Sequence, residues 1–198
     1  MGSTVVVTCG ATVPFPELIA ALLDKQVLDT LLRMHYTRLI VQYGRGYTSK
    51  FAQLLGCVRA HVEEPADNGA SNLAAGVEVQ VRGHYQSLEV CGFEFTGAIH
   101  ELLRDNADLV ISHAGTGSIV DALRLGKRLL VVANTSLMDN HQLQIARKFE
   151  SRGHLQSAAA QPKALIAALR RVEAAPQVPL PNGYNSSFER LLMDVAQS

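Results

Sequence analysis

The stretch from residue 107 to 146 limits the possible folds more than any other. An apolar run, Ala107 to Ser112, passes directly into His113, Gly115 and Gly117, and a helical pattern opens near Ser118 with Asp121 on its first turns. A second apolar run, Leu129 to Ala133, follows Gly126 and leads through Asp139-Asn140-His141-Gln142 into another helix. Buried strands separated by a helix pair in parallel, because only a crossover of a dozen or so residues returns the chain to the same end of a sheet. Polar residues therefore gather at the carboxyl ends of two strands, where open α/β sheets hold their ligands.

The first of these turns suits an anion. Glycine at 115 and 117 lets backbone N–H groups come close to a phosphate, and a helix N-terminus adds unpaired donors with partial positive charge. Thr116 lies between them. His113 has a ring N–H to offer, and Ser118 can cap the helix or touch the same anion. A carboxylate at Asp121 is repelled by phosphate but accepts from a pair of sugar hydroxyls, so the combination points to a nucleoside diphosphate with its ribose. A Gly-x-Gly after a strand is also a common tight turn with no ligand, and taken alone the turn leaves both readings open.

Composition narrows the partners. The chain has 198 residues, enough for one full α/β core and too few for two. Its 18 Lys and Arg balance 18 Asp and Glu, so no global field recruits nucleic acid or anionic lipid. Cys9, Cys57 and Cys91 lack metal-ligand spacing and cannot all pair, which suits a reducing compartment. The N-terminus does not read as a secretory signal, and no apolar run approaches the ~18 residues of a membrane helix. A cytoplasmic chain with no metal is expected.

A single domain is expected over 1–198. Thr4 to Thr8 is a β-branched run typical of a buried strand, and it ends in Cys9-Gly10-Ala11-Thr12, the first strand-to-helix turn. One glycine there is not the Gly-x-Gly-x-x-Gly of dinucleotide enzymes, and no Gly-x4-Gly-Lys-Ser/Thr occurs. Cys9 reads as a small strand-end residue, since a thiol phosphatase loop would want arginine where Phe15 stands. One helix is predicted from Glu17 to about Leu32, a strand over Leu39 to Gln42, and an exit turn at Tyr43-Gly44-Arg45-Gly46, where Arg45 either faces a diphosphate or is solvated.

Between Gly56 and Gln86 the pattern fades into β-like pieces, Val58 to Val62 and Val77 to Val81, around a polar loop from Pro65 to Gly76. A strand at Leu88 to Cys91 follows. Thr96 is placed to cap a helix with Ile99, Leu102 and Leu103 on one face. Phe93 and Phe95 are either ligand-contacting or core rings, and His100 carries no assigned role. A helix opens at Gln161-Pro162 and runs to about Val172. Residues 174–198 read as a proline-containing connector and a C-terminal helix, which Ser186-Ser187-Phe188-Glu189 starts as a capping box.

The order His-x-Gly-x-Gly-Ser-x-x-Asp, then a glycine, an apolar strand and Asp-Asn-His-Gln at a helix start resembles the nucleotide-sugar half of two-domain glycosyltransferases. VTCGATVPFPELI, RLIVQYGRGY, GFEFTGAIHELLRDNADLVISHAGTGSIVDALRLGK, SLMDNHQLQIA and NSSFERLL extend the likeness over most of the chain. These segments resemble the cytosolic catalytic subunits of the UDP-N-acetylglucosamine transferase that adds the second GlcNAc to dolichol-diphosphate-GlcNAc. They are also similar to the C-terminal half of the bacterial peptidoglycan GlcNAc transferase.

The resemblance implies a doubly wound, mostly parallel Rossmann-like α/β sheet, equivalent to the C-terminal half of a GT-B enzyme. It implies that the His113 to Ser118 turn, with Gly10, Ala11 and Thr12, holds the diphosphate of UDP-GlcNAc. Asp121 would hold the ribose, where glutamate is the commoner residue. Asp139, Asn140, His141 and Gln142 would hold the sugar, and the segment with Phe93 and Phe95 the base. A membrane-anchored acceptor-binding partner and a dolichol-diphosphate-GlcNAc acceptor are implied as well, with recruitment to the cytosolic face of the endoplasmic reticulum. No general base is evident. His113 is a candidate, though phosphate binding suits it better. A non-catalytic UDP-sugar-binding regulatory module is the competing class. A sugar-nucleotide epimerase would need a second domain.

Overall fold

The computed structural model describes residues 2–10, 14–58, 60–62, 73, 76–133 and 140–180, without the side chains of 140–143. In chain order the elements are β1 (Ser3–Thr8), α1 (Pro16–Leu22), α2 (Lys25–Arg33), β2 (Tyr36–Gln42), α3 (Thr48–Cys57), β3 (His61–Val62), β4 (Val81–Tyr85) and β5 (Leu88–Phe93). They continue with α4 (Ile99–Asn106), β6 (Leu109–Ser112), α5 (Thr116–Arg124), β7 (Arg128–Val132), α6 (Asn140–Ser151), β8 (Gln156–Ala158) and α7 (Pro162–Ala174).

Among the described residues the strands form one sheet in the order β3-β4-β5-β2-β1-β6-β7-β8. β1 pairs in parallel with β2 on one side and β6 on the other. Val5, Val6 and Val7 are inaccessible to solvent, because helices cover both faces of the strand. Val5 and Val7 pack with α1, α2, α3 and α7, and Val6 packs with α4, α5 and α6. An unbroken β-branched run is what a strand buried on both faces requires.

The chain first runs from β1 to β2 and on to β3 at the edge of the sheet, returns through β4 to β5 beside β2, then crosses back through α4 to β6 and winds the other way. The reversal falls between β1 and β6, so their carboxyl ends, Thr8 and Ser112, stand side by side. A crevice at such a reversal is where doubly wound sheets bind ligands. No helix among the described residues is long and apolar enough to cross a membrane.

Several local expectations are corrected. The single helix from Glu17 to Leu32 is two, because Asp24 takes an extended conformation and its carboxylate accepts from Gln26 N at 2.8 Å, which starts α2 afresh. α3 had no sequence assignment, though Phe51 and Leu55, four apart, are both buried. Val58 caps the end of α3 and is not in a strand.

The sheet is not parallel throughout, since β4 runs antiparallel to both β3 and β5. The β4–β5 turn places Gln86 at φ +54, a conformation that sequence patterns associate with Gly or Asn. Tertiary contacts hold that turn: Asp29 of α2 accepts from Tyr85 Oη at 2.7 Å and from Gln86 Nε2 at 3.3 Å. Thr96 does not cap α4. Its hydroxyl accepts from Ala98 N at 3.0 Å in a turn just ahead of the helix, which starts at Ile99.

After α7, the connector is tied back across the sheet. The Gln177 amide accepts from Leu129 N and donates to Leu129 O, both at 2.8 Å, and Val178 N donates to Gly153 O at 2.9 Å. The capping box at 186–189 and the final helix lie outside the described residues.

Candidate functional site

The carboxyl ends of β1 and β6 build the site. β1 runs out through Cys9 into Gly10, whose φ of +94 turns the chain sharply. β6 runs out through His113 into Ala114, a buried non-glycine residue at φ +71. That conformation costs an L-residue about 1–2 kcal/mol, and its cost is borne where the backbone must swing into α5. Gly115 is the N-cap of α5, with extended dihedrals and no side-chain cap bond. The N–H groups of Thr116, Gly117 and Ser118 are therefore the unpaired donors of a helix N-terminus. Ser118 stands at the third helical position and does not cap the helix.

His113 closes the cleft between the two turns. Its backbone N–H donates to Thr8 O at 3.0 Å, and its Nδ1 lies 3.0 Å from the same oxygen. The far end of the ring meets glycine on both sides: a Cβ at Gly10 would lie 3.2 Å from Nε2, and one at Gly115 would lie 2.8 Å from it. Glycine at these positions makes room for the imidazole, a reason the sequence did not reveal. At Gly117 a Cβ would meet no described atom within 4 Å. Its φ is ordinary, so neither backbone strain nor crowding accounts for that glycine. Burial lowers the pKa of His113, and its bond to Thr8 works in the opposite direction.

Asp121 lies farther along α5 with a side chain 38% exposed, and its Oδ1 is 3.9 Å from Nδ1 of His100 on α4. The sequence offers no sign of this pair, since the two residues meet only through the packing of α4 beside α5. The Phe93 ring is fully buried in the core, and its carbonyl accepts from Tyr43 N at 2.9 Å. Of the two readings left open for this ring, ligand contact or core, the structure shows core packing. Phe95 is instead 45% exposed, with the Arg45 guanidinium 5.3 Å from its ring centroid, a cation–π contact. Glu94 stiffens this rim by accepting from Gly46 N and Thr48 Oγ1, each at 2.9 Å.

Two buried hydroxyls, Thr8 Oγ1 and Ser112 Oγ, have no hydrogen-bond partner among the described residues. They sit at paired positions directly under the turns. Asn140, His141 and Gln142 form the first turn of α6 after β7, and their side chains are outside the described set. Ala11, Thr12 and Asp139 also lie outside the described residues.

With this geometry, residues 4–195 match the glycosyltransferase family 28 C-terminal domain. The chain belongs to that glycosyltransferase family. Within it, the chain is 45% identical over 196 residues to the UDP-N-acetylglucosamine transferase subunit ALG13 of Kluyveromyces lactis, with 99% of each chain covered. The NMR solution structure of ALG13 superposes with a TM-score of 0.77 at 41% identity, covering 100% of this chain and 98% of that one. Acinetobacter baumannii MurG shares the fold at a TM-score of 0.58 and 14% identity, with the whole of this chain covering 50% of that protein.

Proposed function

We propose that the chain is the donor-binding catalytic subunit of an inverting N-acetylglucosaminyltransferase that uses UDP-GlcNAc. The observation that carries this reading is the uncapped N-terminus of α5, beside His113, at the reversal point of the sheet. The end-to-end likeness to proteins named as UDP-N-acetylglucosamine transferase subunits supplies the donor.

In this scheme the diphosphate lies on the amides of Thr116, Gly117 and Ser118, with Gly10, Ala11 and Thr12 opposite. Asp121 accepts from the ribose hydroxyls. The uracil lies along the 93–95 segment, using backbone groups past the end of β5 and the open ring of Phe95. Asp139, Asn140, His141 and Gln142 face the GlcNAc hydroxyls. The acceptor is dolichol-diphosphate-GlcNAc, whose sugar hydroxyl attacks the anomeric carbon on the side opposite UDP and inverts it to give the chitobiosyl lipid. Charge developing on the departing diphosphate is met by fixed N–H dipoles, which need no reorganisation during the reaction. No metal is required for that step.

The acceptor hydroxyl also needs a base and a binding surface. A membrane-anchored partner supplies both, which brings the chain to the cytosolic face of the endoplasmic reticulum. The test is transfer of labelled GlcNAc from UDP-GlcNAc to a lipid-diphosphate-GlcNAc acceptor, with purified chain alone and with chain added to membranes depleted of their own subunit. Transfer only in the mixture is expected. Saturable UDP-GlcNAc binding without transfer in either would favour a regulatory sugar-nucleotide module.

A further inference from the structure

We propose that this site binds a diphosphate together with one proton, taken from solvent onto Nε2 of His113. The inference rests on the donor reading above and specifies the protonation state in which the site works. Thr8 O already accepts the backbone N–H of His113 and lies 3.0 Å from its Nδ1. A carbonyl has no hydrogen to give, so the ring hydrogen must sit on Nδ1. The neutral imidazole then presents a bare lone pair at Nε2.

That lone pair stands at the anion site. Nε2 lies between the Gly10 and Gly115 backbones, beside the N-cap of α5. Phosphate oxygens and a lone pair are both acceptors and repel one another. A diphosphate can settle against this ring only once Nε2 carries hydrogen, after which the ring becomes a cationic donor of the kind that binds phosphate strongly. The ring N–H expected from the sequence is thus already committed to Thr8, and the ligand requires a second one.

The surroundings leave that proton to the ligand. On β1 the neighbouring thiol of Cys9 is pushed up to about 12 by burial and stays neutral. Thr8 and Ser112 offer hydroxyls only. On α5, Gly115 and Thr116 do not ionise, and Asp121 is turned toward His100 of α4. At the rim Arg45 lies over Phe95. No charged side chain among the described residues acts on His113, and burial holds its pKa below the ordinary value. The free ring is therefore neutral at physiological pH, and a bound diphosphate raises its pKa. Between the free and bound pKa values, linkage makes affinity fall about tenfold for each unit of pH.

UDP-GlcNAc is the probe, because its esterified diphosphate does not titrate near neutrality, whereas the terminal phosphate of UDP does, at a pKa of about 6 as in other phosphomonoesters. Calorimetric titration of the full chain near pH 7.5, in buffers of different protonation enthalpy, should show uptake approaching one proton per ligand. Affinity should decline from pH 6.5 to 8.5. Ring 15N shifts of His113 should pass from the Nδ1–H neutral form to the doubly protonated form at saturation. His113→Gln, with a permanent amide N–H, should bind without proton uptake and with a flat pH profile.

Saturable binding with no proton uptake, or a ring that stays neutral in the complex, would overturn the inference and leave the donor reading standing. Proton uptake that survives in His113→Gln would do the same. If that variant does not fold, the 15N signals of the unaltered protein decide. A chain that shows no saturable binding would remove the donor reading and this inference with it.

Discussion

Two glycines two positions apart should respond in opposite ways to the same substitution. At Gly117 an added Cβ meets no described atom within 4 Å, and the backbone is already helical. Gly117→Ala should therefore stabilise the protein by about 0.5–1 kcal/mol, the helix-propensity difference between the residues. For a domain of this size that raises Tm by about 1–4 °C. At Gly115 the added Cβ would lie 2.8 Å from Nε2 and 2.9 Å from Cε1 of His113.

The ring cannot retreat from Gly115 without loosening its bond to Thr8 O, and Gly10 closes the other side. Gly115→Ala should cost about 1–3 kcal/mol as overpacking, lowering Tm by about 2–12 °C. Differential scanning calorimetry of both variants reads the stability contrast, and UDP-GlcNAc titration reads the binding. If the diphosphate lies on the α5 amides, Gly117→Ala binds at least tenfold more weakly despite its higher Tm. A raised Tm with unchanged affinity would show that no ligand approaches Gly117, and a lowered Tm would refute the steric argument itself.

Asp121→Ala should weaken UDP binding by about 10- to 100-fold, the value of hydrogen bonds to a charged acceptor. Tm should barely move, because the carboxylate is partly exposed; unchanged affinity by calorimetry would remove the ribose assignment. Gln177→Ala strips both bonds from the Leu129 backbone and should cost about 1–3 kcal/mol in urea unfolding, so an unchanged midpoint would mean that the connector does not hold β7. Glu89 is flanked by Arg38 and Arg82. Burial acts to raise its pKa, but the two guanidiniums prevail and hold it below the ordinary value. Its stabilising contribution is thus complete above the ordinary glutamate range and lost as pH falls through the depressed value. The stability gap between wild type and Glu89→Gln should shrink on acidification below about pH 4.3, and a gap that widens there would reverse the assignment.

The central βαβ stretch, the buried first strand and the polar ends of β1 and β6 were legible because each depends on local pattern. A β-branched run such as Val5 to Val7 has few ways to be buried, and a strand that meets glycine and then a helix has few ways to turn. Other features depended on contacts between distant segments. The β4–β5 turn has no turn signature because Asp29, far away in sequence, holds Gln86 in place. α2 begins where it does because one carboxylate at Asp24 outweighs a continuous apolar stripe. Phe93 and Phe95, alike in sequence, part company because β5 ends at Phe93, so the strand carries the first ring into the core while the second lies past its end, beside Arg45.

At the site itself, sequence determined which residue types stand at the end of each strand, since the order of strand, glycine turn and helix is written locally. Only the tertiary structure decided what those residues do to one another. The pairing of β1 with β6 brings Thr8 O against His113, and that carbonyl selects which ring nitrogen holds the hydrogen. The packing of α4 beside α5 joins His100 to Asp121. Hydrogen-bond geometry and burial act through space, and no spacing along the chain encodes them.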